Sequence, residues 1–421
     1  MPREKYWLSI IFPIAAVSSG FSILIPLYIL SLHGNVIDVG IATTAYELVT
    51  IPASIIWGEL TQRLKKIKSF IMFSVLGVIP LILLLYFIES ITLAIIMYAA
   101  YAFVLTASSP AINVLIMNKR KKTILRSYYG IYSLLSIIGN IIGYIPGVLL
   151  FSDIIARYLI ILLSFNVASA ILTFLLVNKD RGRAKSHKES LLHRLFPLLN
   201  SISTLPQILT EHGLIVRISN IRRRKKISRI FTIFAAIALF NFGLYLFNTS
   251  YIPFLYSFKL SFSDIFLINV LNGIGQIIIY AIFMTGKVNR RLRDYYRLST
   301  FIRSAGYLIA ALSVFVIAGI VYLNMFSYLV AGIGYAFWNV SASVIMYVNI
   351  AGKSEAHYIG LWSAVIGFSG VVGSFLSGFI SFYSGYMLTF AISIAFTLLS
   401  TAVFSHVYKD GEKIADFGNR I

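Results

Sequence analysis

Glu47 is the one carboxylate set deep within a long apolar stretch of this chain, in the run IATTAYELVT. An unpaired charge at the centre of a bilayer costs on the order of 3 kcal/mol on insertion scales, so an acid persists there for a reason. A carboxyl removed from water is favoured as the neutral acid and ionises when its surroundings become wet. Glu47 is therefore the candidate proton-coupling group, and a protonated carboxyl held by an interhelical hydrogen bond is the structural alternative.

The other candidates are uncharged. Asn241, Tyr245 and Asn248 recur at i, i+4 and i+7, which places them on one helix face, and Asn269, Asn272 and Gln276 repeat the pattern. Tyr335, Trp338 and Asn339 form a third cluster, and Ser18, Ser19 and Ser22 a fourth. Amides both donate and accept, so a cavity lined by them suits a small organic solute that is polar and neutral, or amphipathic. Interhelical hydrogen bonding is the competing use. No buried Lys or Arg is expected to offer an anion site, because Arg303 is placed near the basic end of its apolar stretch.

Other chemistry is excluded. The 421 residues contain no cysteine, the six histidines are scattered, and no HExxH pattern occurs, so no metal site is expected. No Ser/His/Asp arrangement or carboxylate pair supports catalysis, and neither enzyme activity nor a cofactor is expected. Gly352, Lys353 and Ser354 match the end of a phosphate-binding loop, but Tyr347 occupies its first glycine position. The sequons at Asn248 and Asn339 fall within apolar stretches, where no glycan is added.

The elements that position these groups are long apolar segments. The chain is 58% hydrophobic and 12% charged, against roughly 25% charged in soluble domains. A helix crosses the hydrocarbon layer in about 20 apolar residues. That window predicts an all-α membrane protein of twelve spans, running from 6–30 to 384–407, with the fourth at 91–117 and the ninth at 298–318. The segment after Met1, Pro2 and Arg3 is too long for a signal-peptide core and reads as the first span.

All but Arg157, Lys259 and Arg303 of the 36 Lys and Arg residues fall in the N-terminus, every second loop and the C-terminal tail. Cytoplasmic loops retain Lys and Arg, so both termini are expected in the cytoplasm of a multi-pass protein of the cell membrane. A formal charge of +21 would otherwise suggest nucleic acid. Spread over one membrane face, it implies contact with anionic lipid headgroups instead.

One long basic connection, 178–228, contains Arg222, Arg223, Arg224, Lys225 and Lys226. Its Leu191, Leu192, His193, Arg194, Leu195 and Phe196 suggest an interfacial amphipathic helix, with a solvated linker as the alternative. It separates a six-span unit over 1–177 from another over 229–408, followed by a tail over 409–421. The units echo each other: Pro26 with Pro253, Asp38 with Asp264, Gly58, Arg63 and Leu64 with Gly286, Arg291 and Leu292, and Gly139, Gly143 and Gly147 with Gly370, Ser374 and Gly378. Four matches in order at nearly constant offset indicate a duplication. Parallel repeats with a midplane site between them are a secondary-transporter architecture.

On these residues the chain resembles the major facilitator superfamily over nearly its whole length. The family's loop GxLxDRxGRR is matched at Gly58, Leu60, Arg63, Lys65 and Lys66, with Gln62 at the acidic position; Gly286 to Arg293 is a looser second copy. Its antiporter motif GxxxGPxxGG is matched at Gly139, Gly143, Pro146 and Gly147, with Tyr144 in place of the first proline. Glycines at i, i+4 and i+8 give a smooth face for close helix packing. The resemblance implies the twelve-helix fold, a gating loop at Gly58, Gln62, Arg63, Lys66, Gly286 and Arg291, and a monomer. It also implies a secondary transporter, an antiporter working as an exporter, whose third, sixth, ninth and twelfth spans lie outside the cavity; Glu47 makes protons the expected coupling ion. The fourth span carries no arginine, unlike that of the family's drug antiporters. A membrane sensor or scaffold of the same fold is the alternative function.

Overall fold

Two loops 226 residues apart fold alike. His33 and Lys259 both adopt left-handed backbone, with φ of 62° and 57°. Two residues later Asn35 and Ser261 each cap a helix reciprocally. The Asn35 backbone N–H donates to Asp38 Oδ2 at 2.8 Å, while Asn35 Oδ1 accepts from the N–H of Ile37 at 2.7 Å. Ser261 donates from its hydroxyl to Asp264 Oδ2 at 2.6 Å, and its Oγ accepts from the Asp264 N–H at 3.1 Å. Such boxes satisfy the free N–H groups of a first helical turn. The matched Asp38 and Asp264 thus start equivalent helices.

A computed structural model describes residues 3–64, 66–117, 122–149, 154–177, 225–284, 292–350 and 355–407. After a tight helical lead-in, Arg3–Ile10, come α1 (Ile11–Ser31), α2 (Val36–Leu64), α3 (Ile67–Leu85), α4 (Ile91–Thr106), α5 (Ser108–Met117), α6 (Lys122–Leu149) and α7 (Ile154–Leu176). The second half comprises α8 (Lys225–Ser257), α9 (Phe262–Met284), α10 (Leu292–Leu312), α11 (Ile320–Ile350), α12 (Glu355–Ser384) and α13 (Tyr386–Val407). Together they supply twelve segments long and apolar enough to cross a membrane. The amphipathic linker helix expected at 191–196 and the tail over 409–421 lie outside the described residues.

Two differences from the expected spans bear on the site and its surroundings. The fourth span is broken at Ala107 into α4 and α5, because Pro110 has no N–H to continue the helix ladder. The Leu105 carbonyl at the break accepts from Ser108 Oγ at 2.9 Å and from Ser74 Oγ at 3.0 Å. The ninth span begins at Leu292, six residues earlier than expected. Arg293 and Arg297 depress the hydropathy of its first turns, although Tyr295 and Tyr296 there are buried.

Within the first half α1 packs on α6 and α7, α2 on α4, and α3 on α7; in the second, α8 packs on α12 and α13, α9 on α11, and α10 on α11 and α13. The halves meet through α2 with α12 and α6 with α9. Those contacts reach the face opposite the termini. A Cβ on Gly40 would lie 2.9 Å from Gly378 Cα, one on Gly147 would collide with the Phe266 ring, and Ser263 Oγ donates to the Val148 carbonyl at 2.6 Å. That face is closed by backbone contact.

Gly139 and Gly143 face α1 instead. A Cβ on Gly139 would collide with the Phe12 carbonyl, and one on Gly143 with the Ala16 carbonyl. Both obstacles are backbone and cannot swing aside. Gly143→Leu should therefore destabilise the protein by about 1–3 kcal/mol, the usual cost of overpacking, with Gly143→Ala less affected. A melt in detergent checks this, and a wild-type melting temperature for the Leu variant would contradict the packing.

Candidate functional site

Between the halves lies a cavity of about 340 Å³. Its walls are drawn from α1, α2, α4, α6, α8, α9, α10 and α11, so its shape depends on how the halves sit. It meets a larger vestibule of about 770 Å³ at Ser18 and Tyr46. The vestibule runs past Thr50, Ser54 and Gly58 of α2, Asn113 of α5 and Ser136 of α6, toward the terminal-bearing face. The vestibule thus adjoins the cavity on the terminal-bearing side, while helix contacts close the opposite side.

Glu47 lines the cavity from α2, and its side chain lies beside that of Tyr245 on α8. The pair brings the two halves together. It is made possible by Gly370 on α12, where a Cβ would lie 3.2 Å from Glu47 Cγ and 3.0 Å from the Tyr245 ring. No ion pair involving Glu47 exists among the described residues. Beside it, Tyr46 packs on Tyr98 with ring centroids 4.7 Å apart, and Tyr101 stacks on Phe21 at 4.3 Å.

Of the uncharged candidates, Ser18, Ser22, Tyr245, Asn248, Asn269, Asn272, Gln276 and Tyr335 line the cavity. Gln276 donates to Asn272 Oδ1 at 2.8 Å, and Asn272 donates to the Tyr328 carbonyl at 3.0 Å. Asn248 Oδ1 is buried with no partner among the described residues. Ser19, Asn241, Trp338 and Asn339 do not line the cavity. Ser19 Oγ ties α1 to α6 by donating to the Asn140 carbonyl at 3.0 Å, and Asn339 donates to the Tyr280 hydroxyl of α9 at 2.6 Å. Asn241 donates to Ile237 of its own helix, and Trp338 stacks on Phe240 with centroids 4.2 Å apart. Asn241, Trp338 and Asn339 sit a turn nearer the terminal-bearing face than the lining residues of their helices, whereas Ser19 lies at cavity depth but is turned toward α6.

Arg303 overturns the expectation that no buried cation offers an anion site. With α10 starting early, it falls in the middle of the Arg293–Phe315 span, 3% exposed, and it lines the cavity. The ninth span is therefore not wholly outside. Its approach depends on Gly334 of α11, where a Cβ would lie 2.7 Å from the Arg303 backbone nitrogen. Nε donates to the Tyr307 hydroxyl at 2.5 Å and Nη1 to the Ala331 carbonyl at 3.1 Å, while the guanidinium lies 5.1 Å from the centroids of the Tyr307 and Tyr335 rings. Tyr307 is held in turn by stacking on Phe247 at 3.8 Å.

At the expected gating loop, Arg63 is ion-paired with Glu59, one turn back on α2. Gly58 has open space around it, and Lys66 immediately precedes α3 without a side-chain capping bond. The Gln62 side chain, Gly286 and Arg291 lie outside the described residues. No cluster of metal-ligating side chains exists among the described residues.

The sequence matches the family model of the Major Facilitator Superfamily over residues 7–357. No curated protein matches it. Among solved structures, the nucleoside transporter NupG superposes with a TM-score of 0.66 at 13% identity, covering 97% of this chain and 100% of that one. A transporter of the POT family, solved with 5-aminolevulinic acid, superposes with a TM-score of 0.73 at 12% identity, covering 96% of each chain. A bacterial homolog of the human lysosomal transporter Spinster, inward-facing and occupied, gives 0.67 at 11% identity, again covering 96% of each. At these identities the likeness is one of fold. Together with the twelve spans, the family match marks a multi-pass membrane transporter rather than an enzyme: the chain belongs to the Major Facilitator Superfamily.

Proposed function

We propose that this chain is a proton-coupled secondary transporter that carries a small organic solute through the central cavity by alternating access. One observation carries the reading: the Glu47 carboxyl of one half lies beside Tyr245 of the other at the wall of the cavity. Rocking the halves apart separates the pair and changes the solvation of the acid. Proton gain or loss is thereby tied to conformation. The antiporter-like glycine face of α6 supports export in exchange for protons.

Uptake of a radiolabelled solute panel by proteoliposomes tests the reading. A sensor or scaffold of this fold would give no uptake above protein-free vesicles.

Both termini and the 178–228 linker are placed in the cytoplasm, since 13 Lys and Arg residues lie between Lys179 and Arg229. The open vestibule then faces inward, and its basic rim meets anionic headgroups. The absence of native cysteine makes this testable in intact cells. Glu89→Cys, in the exposed turn between α3 and α4, should react with an impermeant thiol reagent from outside; Lys66→Cys should be protected. The reverse pattern would invert the threading.

A further inference from the structure

We propose that Arg303 is an anion-binding subsite, and that the transported solute is a small monocarboxylate with an N–H or O–H donor toward its other end. The proposal rests on the transport reading above and names its substrate class, in place of the neutral solute that the amides alone suggest.

Arg303 is the single charged side chain in the buried core of the described residues, and none of their carboxylates lies within ion-pair distance of it. A guanidinium stays protonated under all ordinary conditions. Its described neighbours are neutral: a tyrosine hydroxyl, a backbone carbonyl and two aromatic rings. These contacts stabilise a cation without cancelling its charge. A guanidinium has five N–H donors. The two named bonds leave three of them with no acceptor among the described residues.

Glu47 lines the same cavity but lies beside Tyr245 and does not reach Arg303. A buried charge without a counter-charge is costly, so the site is completed by an anion that enters and leaves. The planar fork pairs with a carboxylate through two parallel bonds. One guanidinium balances one negative charge. A phosphate ester, carrying about −1.5 to −2 near neutral pH, would leave an excess in the dry interior.

Asn248 supplies the second anchor. Its Oδ1 is a buried acceptor on the same cavity without a partner among the described residues, and leaving such an atom unpaired is costly. A solute with a hydroxyl or amino group satisfies it while its carboxylate occupies Arg303. These anchors come from α8 and α10, so the second half holds the solute while Glu47, on the first half, senses its arrival through Tyr245.

Binding to the detergent-solubilised protein, read by thermal shift and calorimetry, tests this without requiring transport. The probes are lactate, 4-aminobutyrate and 4-hydroxybenzoate, each against its methyl ester and amide, together with inorganic phosphate. At least one acid should raise the melting temperature while its ester and amide do not. Arg303→Gln should weaken that binding by roughly 30-fold or more, the lower end of the effect of truncating one member of a buried charge pair. Arg303→Lys should bind more tightly than Arg303→Gln, since it keeps the charge without the fork. The ester comparison uses wild-type protein and stands if the variants fail to fold.

Esters binding as well as acids, an acid shift that survives Arg303→Gln, stabilisation by phosphate alone, or no stabilisation by any acid would each overturn the proposal. Acid binding through Arg303 without flux would defeat the transport reading and leave the subsite standing. Flux of a neutral solute unchanged by Arg303→Gln would do the opposite.

Discussion

Glu47→Gln should abolish accumulation driven by a pH gradient, reducing it to the level of protein-free vesicles, while exchange of solute between equal concentrations continues. Gln keeps the size and shape of the side chain beside Tyr245, but it cannot titrate. The halves can then still rock with solute bound. What is lost is the requirement that a proton move in the same cycle. A conservative charge-to-amide change separates this outcome from misfolding, because retained exchange requires a folded transporter. Undiminished gradient-driven accumulation would reduce Glu47 to a hydrogen-bonding residue.

Gly378→Leu should shift the protein toward the state open on the face opposite the termini. In the closed arrangement a Cβ at 378 would lie 3.0 Å from the Val36 carbonyl and 3.1 Å from Ile37 Cα, and both are backbone that cannot rotate away. The contact exists only while α2 and α12 are pressed together on that face. Overpacking therefore penalises that state selectively, by about 1–3 kcal/mol, which corresponds to roughly a 5- to 150-fold change in the ratio of the two states. A cysteine introduced by Thr43→Cys, on the cavity wall of α2, reports the shift. It should react slowly with an impermeant reagent from the far face in an otherwise native chain and rapidly when Gly378→Leu is added. Equal rates in both would mean that this crossing is not the gate.

Much of the fold was legible because lipid leaves few choices. Each span must satisfy its own backbone, so long apolar runs become helices and their number can be read directly. The duplication was legible where it is carried by short-range chemistry: Asp38 and Asp264 each cap a helix three residues after a polar partner, a pattern visible in sequence. The depth of the cavity was not. Asn241 and Asn248 share a face by periodicity, but periodicity fixes direction around a helix and not distance along the membrane. Only the tertiary arrangement places one in packed core and the other on the cavity wall.

Arg303 was missed for a related reason. Arg293 and Arg297 lower the hydropathy of the first turns of α10, which moved the expected span six residues on and left Arg303 near its edge. A signal was present in Tyr307 at i+4, a hydroxyl acceptor on the same helix face as the cation. Tyr46, Tyr98, Tyr101, Tyr144 and Tyr328 were also passed over, since aromatic residues in apolar runs read as core. They line the cavity because a tyrosine carries a polar hydroxyl on an apolar ring and suits a wall between packed core and a polar space. The 26 tyrosines of the chain were the compositional clue.

Proton movement measured during solute addition is the most direct test of proton-coupled transport. Wild-type protein is reconstituted into vesicles that contain a pH-sensitive dye, with no gradient imposed, and members of a solute panel are added outside. At least one solute should change the internal pH at a rate that saturates with its concentration, and an imposed pH gradient should drive that same solute to accumulate. A solute that binds and crosses without moving protons, in either experiment, would contradict the coupling assigned to Glu47.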